Sequence, residues 1–397
     1  MKQSKKFNLI IFLYAIVVVG FLYELIDINV GFKYLDEILI VVLLFRWLSI
    51  TKGVVKREIF LFFLIMLFFL CMSLIEHNNV VSAIIMDFII QSKPYLTFYS
   101  LAFLPFMLSS KHCHLVKKCC ILLAVACAPV GLMYVVGNDK PIYMLFGHPA
   151  RFATMYEFLG VSFLLFSKKT KRDVLISIAI IGIGFMSLRS KIFAFGVIYS
   201  GVMLLDKSIN YRHYFTVKNI VVISTIMSMA LYLAWGKIQY YFIIGQDTTS
   251  EYTMFARAQL YYSSIDVIRD NPLWGTGFGS YASEASAKYY SPIYAKYNLD
   301  LNPEINKGLY LSDTYFPCLV GQFGIIGIFI FIAFWYRRVK TANEYYKRTN
   351  DIFLLKYTLL LLLFFFIESA VDSTLTNNRG VLMMMCLGIA HGNKIHG

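Results

Sequence analysis

Long apolar runs separated by short, mostly basic breaks fill almost the whole chain. Runs such as Ile59–Ile75 and Val221–Trp235 approach the roughly 20 residues needed to cross the hydrocarbon of a bilayer. A backbone in hydrocarbon must satisfy its own hydrogen bonds, so such runs are helices. The pattern predicts about twelve spans, at roughly 7–23, 36–50, 59–75, 94–109, 119–136, 153–167, 174–189, 191–205, 219–236, 314–336, 352–369 and 380–391. The expected fold is therefore all-α and polytopic, with residues 1–397 forming one integral membrane unit. Asn79–Gln91 is apolar, short and interrupted by Asp87, and reads as an interfacial or re-entrant helix before the fourth span. Gly182 and Gly184 on span seven, with Gly196 and Gly201 on span eight, predict a tightly packed helical hairpin.

Composition agrees. The chain is 58% hydrophobic and 15% charged, where a soluble domain carries about 25% charged residues. A net charge of +14 would suggest nucleic acid in a soluble protein, but its distribution points elsewhere. Met1–Lys6, Thr51–Glu58, Lys111–Lys118, Lys168–Asp173, Asp206–Lys218, Arg337–Asp351 and the C-terminal tail hold about 22 of the 37 Lys and Arg but only about five acids. Positive charge on short loops resists translocation, so these breaks and both termini are expected to be cytoplasmic, and no nucleic-acid partner is implied. No small-x-small cleavage pattern precedes Glu24, so the first apolar run, Phe7–Tyr23, reads as an uncleaved span. The cysteines avoid the outer segments and imply no disulfide framework. His112, Cys113, His114, Cys119 and Cys120 match no standard zinc spacing. Neither a metal nor a cofactor is expected.

Most of the outer polar mass lies in one segment, Lys237–Asp313, between spans nine and ten. Thr248-Thr249-Ser250-Glu251 fits a capping box, with a helix following to about Asp270. Phe255, Ala258, Tyr262, Ile265 and Ile268 recur at helical spacing as an apolar face, while Arg257, Tyr261 and Ser264 share another. Asn271-Pro272 ends the helix. Gly275-Thr276-Gly277-Phe278-Gly279 follows a helix rather than a strand and faces outward. It is therefore no nucleotide loop, and its glycines allow a tight turn back towards the membrane. Tyr281–Tyr310, rich in Tyr, Ser and Asn, reads either as a surface for stacking sugar rings or as an aromatic interface belt.

Five basic residues stand on the outer side against the charge rule: Lys93, Arg151, Arg189, Arg257 and Arg379. Each could snorkel to lipid phosphate. Arg189 occupies a turn of almost no length, where an anchor is hardly needed, and guanidinium suits bidentate contact with phosphate oxygens. Asp313, at the end of the segment, is either a proton acceptor for a sugar hydroxyl or the cap of the tenth span. Glu304 and Glu251 are its rivals as base, Glu251 already having a capping role.

In order and placement these parts resemble the O-antigen ligase and polymerase superfamily of bacterial envelope polysaccharide enzymes (WaaL-like and Wzy-like). The shared parts are Arg257 on a helix, Pro272-Leu273-Trp274-Gly275-Thr276-Gly277, then Ser312-Asp313-Thr314-Tyr315 leading into Gly324-Ile325-Ile326-Gly327. Arg189 stands where the family has a second arginine, and Lys93 where a basic residue precedes span four. Residue matches concentrate in about 80 positions from Arg257 onward, and topology carries the rest. Ligases of this family usually carry His-Asn at the end of the loop, whereas this chain has Asp313-Thr314, which favours a polymerase.

The resemblance implies a twelve-span, GT-C-like glycosyltransferase whose large extracytoplasmic loop, residues 237–313, carries active-site residues. It would lie in the bacterial inner (plasma) membrane, with its active site facing outward. It would join undecaprenyl-diphosphate-linked repeat units, donor and acceptor both, with inversion and without metal. The implied catalytic residues are Arg189, Arg257 and Asp313. The implied substrate-binding residues are Lys93, Arg151, Tyr261, Trp274, Tyr315 and Arg379. A chain-length regulator and a flippase are the expected protein partners. The alternatives are a ligase, or a lipid-linked glycan flippase or transporter. A transporter predicts paired charges deep in the spans, where the sequence offers few candidates: Arg46, Glu157, Lys356 and Glu368.

Overall fold

The computed structural model describes residues 2–51, 56–104, 106–204 and 255–392, and every regular element among them is helical. The ninth expected span, the start of the large outer segment and the Thr248–Glu251 capping box lie outside the described residues. The first helix, α1 (Lys2–Tyr14), passes through a π-helical stretch, Ala15–Leu22, into α2 (Tyr23–Val30). There follow α3 (Leu35–Thr51), α4 (Arg57–Glu76), α5 (Val81–Ala102), α6 (Ser110–Val135), α7 (Lys140–Phe146), α8 (Pro149–Leu165), α9 (Lys171–Ile183) and α10 (Ser190–Leu204). The outer segment contributes α11 (Ala256–Asp270), α12 (Glu284–Lys288), α13 (Pro292–Lys296) and α14 (Pro303–Asn306). Three more, α15 (Tyr315–Thr349), α16 (Phe353–Ser369) and α17 (Asn378–His391), complete the described chain.

This is an α-helical membrane protein. Gln3–Asp27, Arg57–Glu76, Ser110–Val135 and Tyr315–Thr349 are each long and apolar enough to cross a bilayer, and Ser190–Leu204 is a shorter apolar helix. Helices α4 and α6 turn Phe63, Leu64, Leu67, Leu122, Val125 and Leu132 outward, as helices bordered by lipid do. By contrast, α8 and α17 are apolar and buried along nearly their whole length, so they form the centre of the bundle.

Two expected boundaries move. Asn79–Gln91 is not a separate element: α5 runs unbroken through Pro94. Pro94 removes the backbone donor that would bond the Ile90 carbonyl, while hydroxyls on either side add bonds to other carbonyls of the helix. The Thr97 hydroxyl donates to the Lys93 carbonyl at 2.9 Å and the Ser92 hydroxyl to the Phe88 carbonyl at 2.6 Å. Lys93 therefore sits inside a helix and is buried, rather than starting one at the surface. The tenth expected span also changes, because α15 is broken at Gly324 (φ 57°, ψ −157°).

The break in α15 explains the glycine pattern. The Pro272–Gly277 turn inserts into it and takes over its hydrogen bonds. The amides of Ile325 and Ile326 donate to the carbonyls of Pro272 and Leu273 at 2.9 and 3.0 Å. Those of Thr276 and Gly277 donate to Gly321 and Gln322, both at 2.9 Å. A Cβ on Gly275 would lie 2.4 Å from the Gln322 carbonyl carbon. Only glycine lets the two backbones come this close.

Behind the turn, the outer segment builds its own core. Ala256, Leu260 and Val267 of α11 pack with Tyr281, Ile293, Tyr294, Leu299 and Ile305. The expected apolar face of α11 is corrected here, since Tyr262 and Ile265 are exposed. Two stripes overlap on this helix, and the buried one uses small Ala256 and Ser264 to approach closely. Two tyrosines of the Tyr281–Tyr310 stretch are corrected likewise, whereas Tyr289 and Tyr310 are exposed. Tyr281 and Tyr294 are fully buried, and their hydroxyls satisfy the Leu260 carbonyl (2.7 Å) and the Ala282 amide (3.0 Å), so neither is free to stack on sugars.

Candidate functional site

A polar cavity of about 330 Å³ opens where α2, α5 and α8 meet the outer segment and the turn between α16 and α17. Lys93, Arg151, Asp313, Tyr315 and Arg379 all line it, although they come from four separate stretches of the chain. Lys33, Glu24, Asp27, Glu284 and Asp372 complete its charged wall, so carboxylates outnumber cations by one.

Its cations are held by carboxylates. The Lys93 ammonium donates to Asp36 Oδ2 at 2.7 Å and Glu37 Oε1 at 2.8 Å. Arg151 pairs with Glu24, and Arg379 pairs with Asp372 at 3.2 Å. Arg257, at the edge of the segment, pairs with Asp313. Asp313 therefore does not cap α15: Thr314 occupies the cap position, without a side-chain cap bond. The Glu304 carboxylate accepts from the Ala256 amide at the start of α11 (3.2 Å).

Arg189 differs. It follows Leu188, which is left-handed (φ 55°), in the turn before α10, and it makes no ion pair with a described residue. Its Nε is buried and unbonded. It lies outside the cavity wall, on the side of His148 and Arg151, and its charge acts on the His148 ring.

Two expected contact residues stand apart from the cavity. The Tyr261 hydroxyl donates to the Ala370 carbonyl at 2.8 Å, tying α11 to the end of α16. The Trp274 indole donates to Glu76 Oε1 at 2.5 Å, fixing the inserted turn to the end of α4. Both anchor the outer segment to the bundle.

A second, apolar groove of about 290 Å³ runs between α4, α5 and α15, lined by Leu61, Phe62, Ile65, Tyr95, Phe331 and neighbours. It lies beside the polar cavity, and Gln91 and Tyr315 line both.

No protein-family model and no curated protein sequence matches the chain.

Apart from Asp313 and Glu368, the carboxylate partners of the cations were not among the residues singled out from sequence. Asp36, Glu37, Glu24 and Asp372 are ordinary helix-end acids in the linear chain, and only the fold brings them to basic residues far away in sequence. Lys191 is another such residue: it binds Glu368 at 2.5 Å and Asp372 at 3.3 Å. Glu157 lies buried nearby, with neither carboxyl oxygen bonded. Burial alone would raise the pKa of Asp372, but Arg379 and Lys191 outweigh it and hold the carboxyl below the usual range. Asp372 therefore stays ionised near neutral pH.

Burial, followed by the charges of Arg189 and Arg151, pushes His148 down from 6.5 to about 4. Its Nδ1 accepts from the Ala150 amide at 3.1 Å, a role that needs the neutral ring. The unfolded chain takes up this proton near pH 6.5, the folded chain only near 4, so stability falls as pH drops through that window. His148→Asn keeps a cap acceptor but cannot titrate. Its melting temperature should decline less between pH 6.5 and 4 than that of the unsubstituted protein. Equal slopes would mean that His148 is protonated in the fold.

Proposed function

We propose that the protein is a polysaccharide polymerase that joins undecaprenyl-diphosphate-linked repeat units at the outer face of the membrane. It would be a twelve-span, GT-C-like glycosyltransferase making O-antigen, capsule or exopolysaccharide. One observation carries most of the weight: an ion-lined polar cavity lies beside an apolar groove, with Gln91 and Tyr315 lining both. Such a pair suits an amphiphile with a polar, hydroxyl-rich head and a long hydrocarbon tail. The order of Arg189, Arg257 and the Pro272–Gly277 turn along the chain supports the same reading.

In this mechanism the acceptor hydroxyl attacks the donor's anomeric carbon. A new C–O bond forms as the bond to the diphosphate oxygen breaks, and the electron pair leaves on undecaprenyl diphosphate. Arg189 and Arg257 stabilise the charge gathering on the diphosphate, with Arg151, Arg379 and Lys93 around the head group. Arg257 is paired with Asp313 in the resting protein. Donor diphosphate competes for that guanidinium and frees the Asp313 carboxylate to take the acceptor's proton. Holding two membrane-anchored substrates in register supplies further acceleration.

A flippase or transporter for the same lipid-linked glycan is the second reading. It expects paired charges deep in the bundle, and Lys93–Asp36 and Lys191–Glu368 are such pairs. Deleting the gene in its host separates the two. Loss of a polymerase leaves surface glycans one repeat unit long. Loss of a flippase leaves no such glycans on the surface, and that result would sink the polymerase.

A further inference from the structure

Lys191 stands at the start of α10 with its side chain 11% exposed, and it does not line the polar cavity. We propose that it is a positioning residue, which holds Asp372 so that Asp372 aims Arg379 into the cavity. This inference rests on the diphosphate-binding reading of the cavity.

The geometry is a chain of alternating charge. Arg379 Nη1 and Nη2 reach Asp372 at 3.2 and 3.5 Å. Asp372 Oδ2 lies 3.3 Å from the Lys191 ammonium, which lies 2.5 Å from Glu368 Oε2. The Thr374 hydroxyl donates to that same Glu368 oxygen at 2.8 Å. The chain crosses α17, the preceding turn, α10 and α16, and within it two cations balance two carboxylates. Glu368 is 2% exposed, so an unpaired charge there is costly. Without the ammonium, both carboxylates compete for one guanidinium, and Arg379 is drawn away from the cavity towards Glu368.

The test is equilibrium binding of inorganic diphosphate to the full-length protein in lipid nanodiscs. Lys191→Met should weaken binding by about tenfold, the scale of one charge-assisted contact, and Lys191→Arg should restore most of it. Lys191→Met combined with Arg379→Ala should bind within about twofold of Arg379→Ala alone, because coupled residues are not additive. Combined with Arg257→Ala, its loss should multiply. Wild-type-like binding by Lys191→Met, or multiplied losses with Arg379→Ala, would overturn the proposal. Should Lys191→Met fail to insert, Asp372→Asn takes its place with the same two expectations. If the unsubstituted protein binds no diphosphate, the reading of the cavity fails and this inference falls with it.

Discussion

Gly324→Ala should strongly destabilise the protein. Gly324 sits at φ 57°, ψ −157°, a conformation nearly closed to residues with a Cβ. The added carbon would lie 2.7 Å from the Gly275 nitrogen and 2.8 Å from the Leu273 and Pro272 oxygens. These are backbone atoms on both sides, so no rotamer change relieves the overlap. Strain and overlap together should cost on the order of 4 kcal/mol. Gly308 provides the control: its φ is +73°, but nothing lies within 4 Å of the position a Cβ would take. Gly308→Ala should lose only about 1–2 kcal/mol. Thermal unfolding in detergent measures both, and similar losses would mean that the inserted turn contributes little.

Arg189→Ala and Arg257→Ala should each slow chain extension by about 10²–10³-fold, the effect of losing about 3–4 kcal/mol of transition-state stabilisation. The two differ in their side effects. Arg257→Ala also strips Asp313 of its ion-pair partner, so Asp313→Asn should recover none of the lost rate. Arg189 has no carboxylate partner among the described residues, so its removal should leave thermal stability nearly unchanged. Rates of polymer formation, normalised to inserted protein, decide the matter. Full activity in either variant would remove that arginine from the mechanism.

Local pattern made the helices legible, and it made the outer basic residues stand out, because both depend on short-range periodicity and charge. Lys93, Arg151 and Arg379, drawn from distant parts of the sequence, do share one cavity with Asp313 and Tyr315. What sequence could not supply were partners. Lys93 finds Asp36 across 57 positions and Lys191 finds Glu368 across 177, and neither pairing leaves a local trace. Pro94 misled for a different reason: one lost helix bond is tolerated where the helix is packed, and α5 is buried on both sides of Pro94. Tyr281 and Tyr294 look like surface aromatics in a polar stretch, yet the segment has too few aliphatic residues to build a core without them. The Pro272–Gly277 motif was visible as a turn, but its destination was not, since a loop that completes the hydrogen bonds of a broken helix requires knowing where that helix breaks.

The most direct measurement uses the purified protein in lipid vesicles with undecaprenyl-diphosphate-linked repeat units from its own host and no nucleotide sugar, with products separated by gel. A ladder of chain lengths that disappears in Arg189→Ala is the predicted result. Movement of the lipid-linked unit across the bilayer with no change in its length would contradict a polymerase.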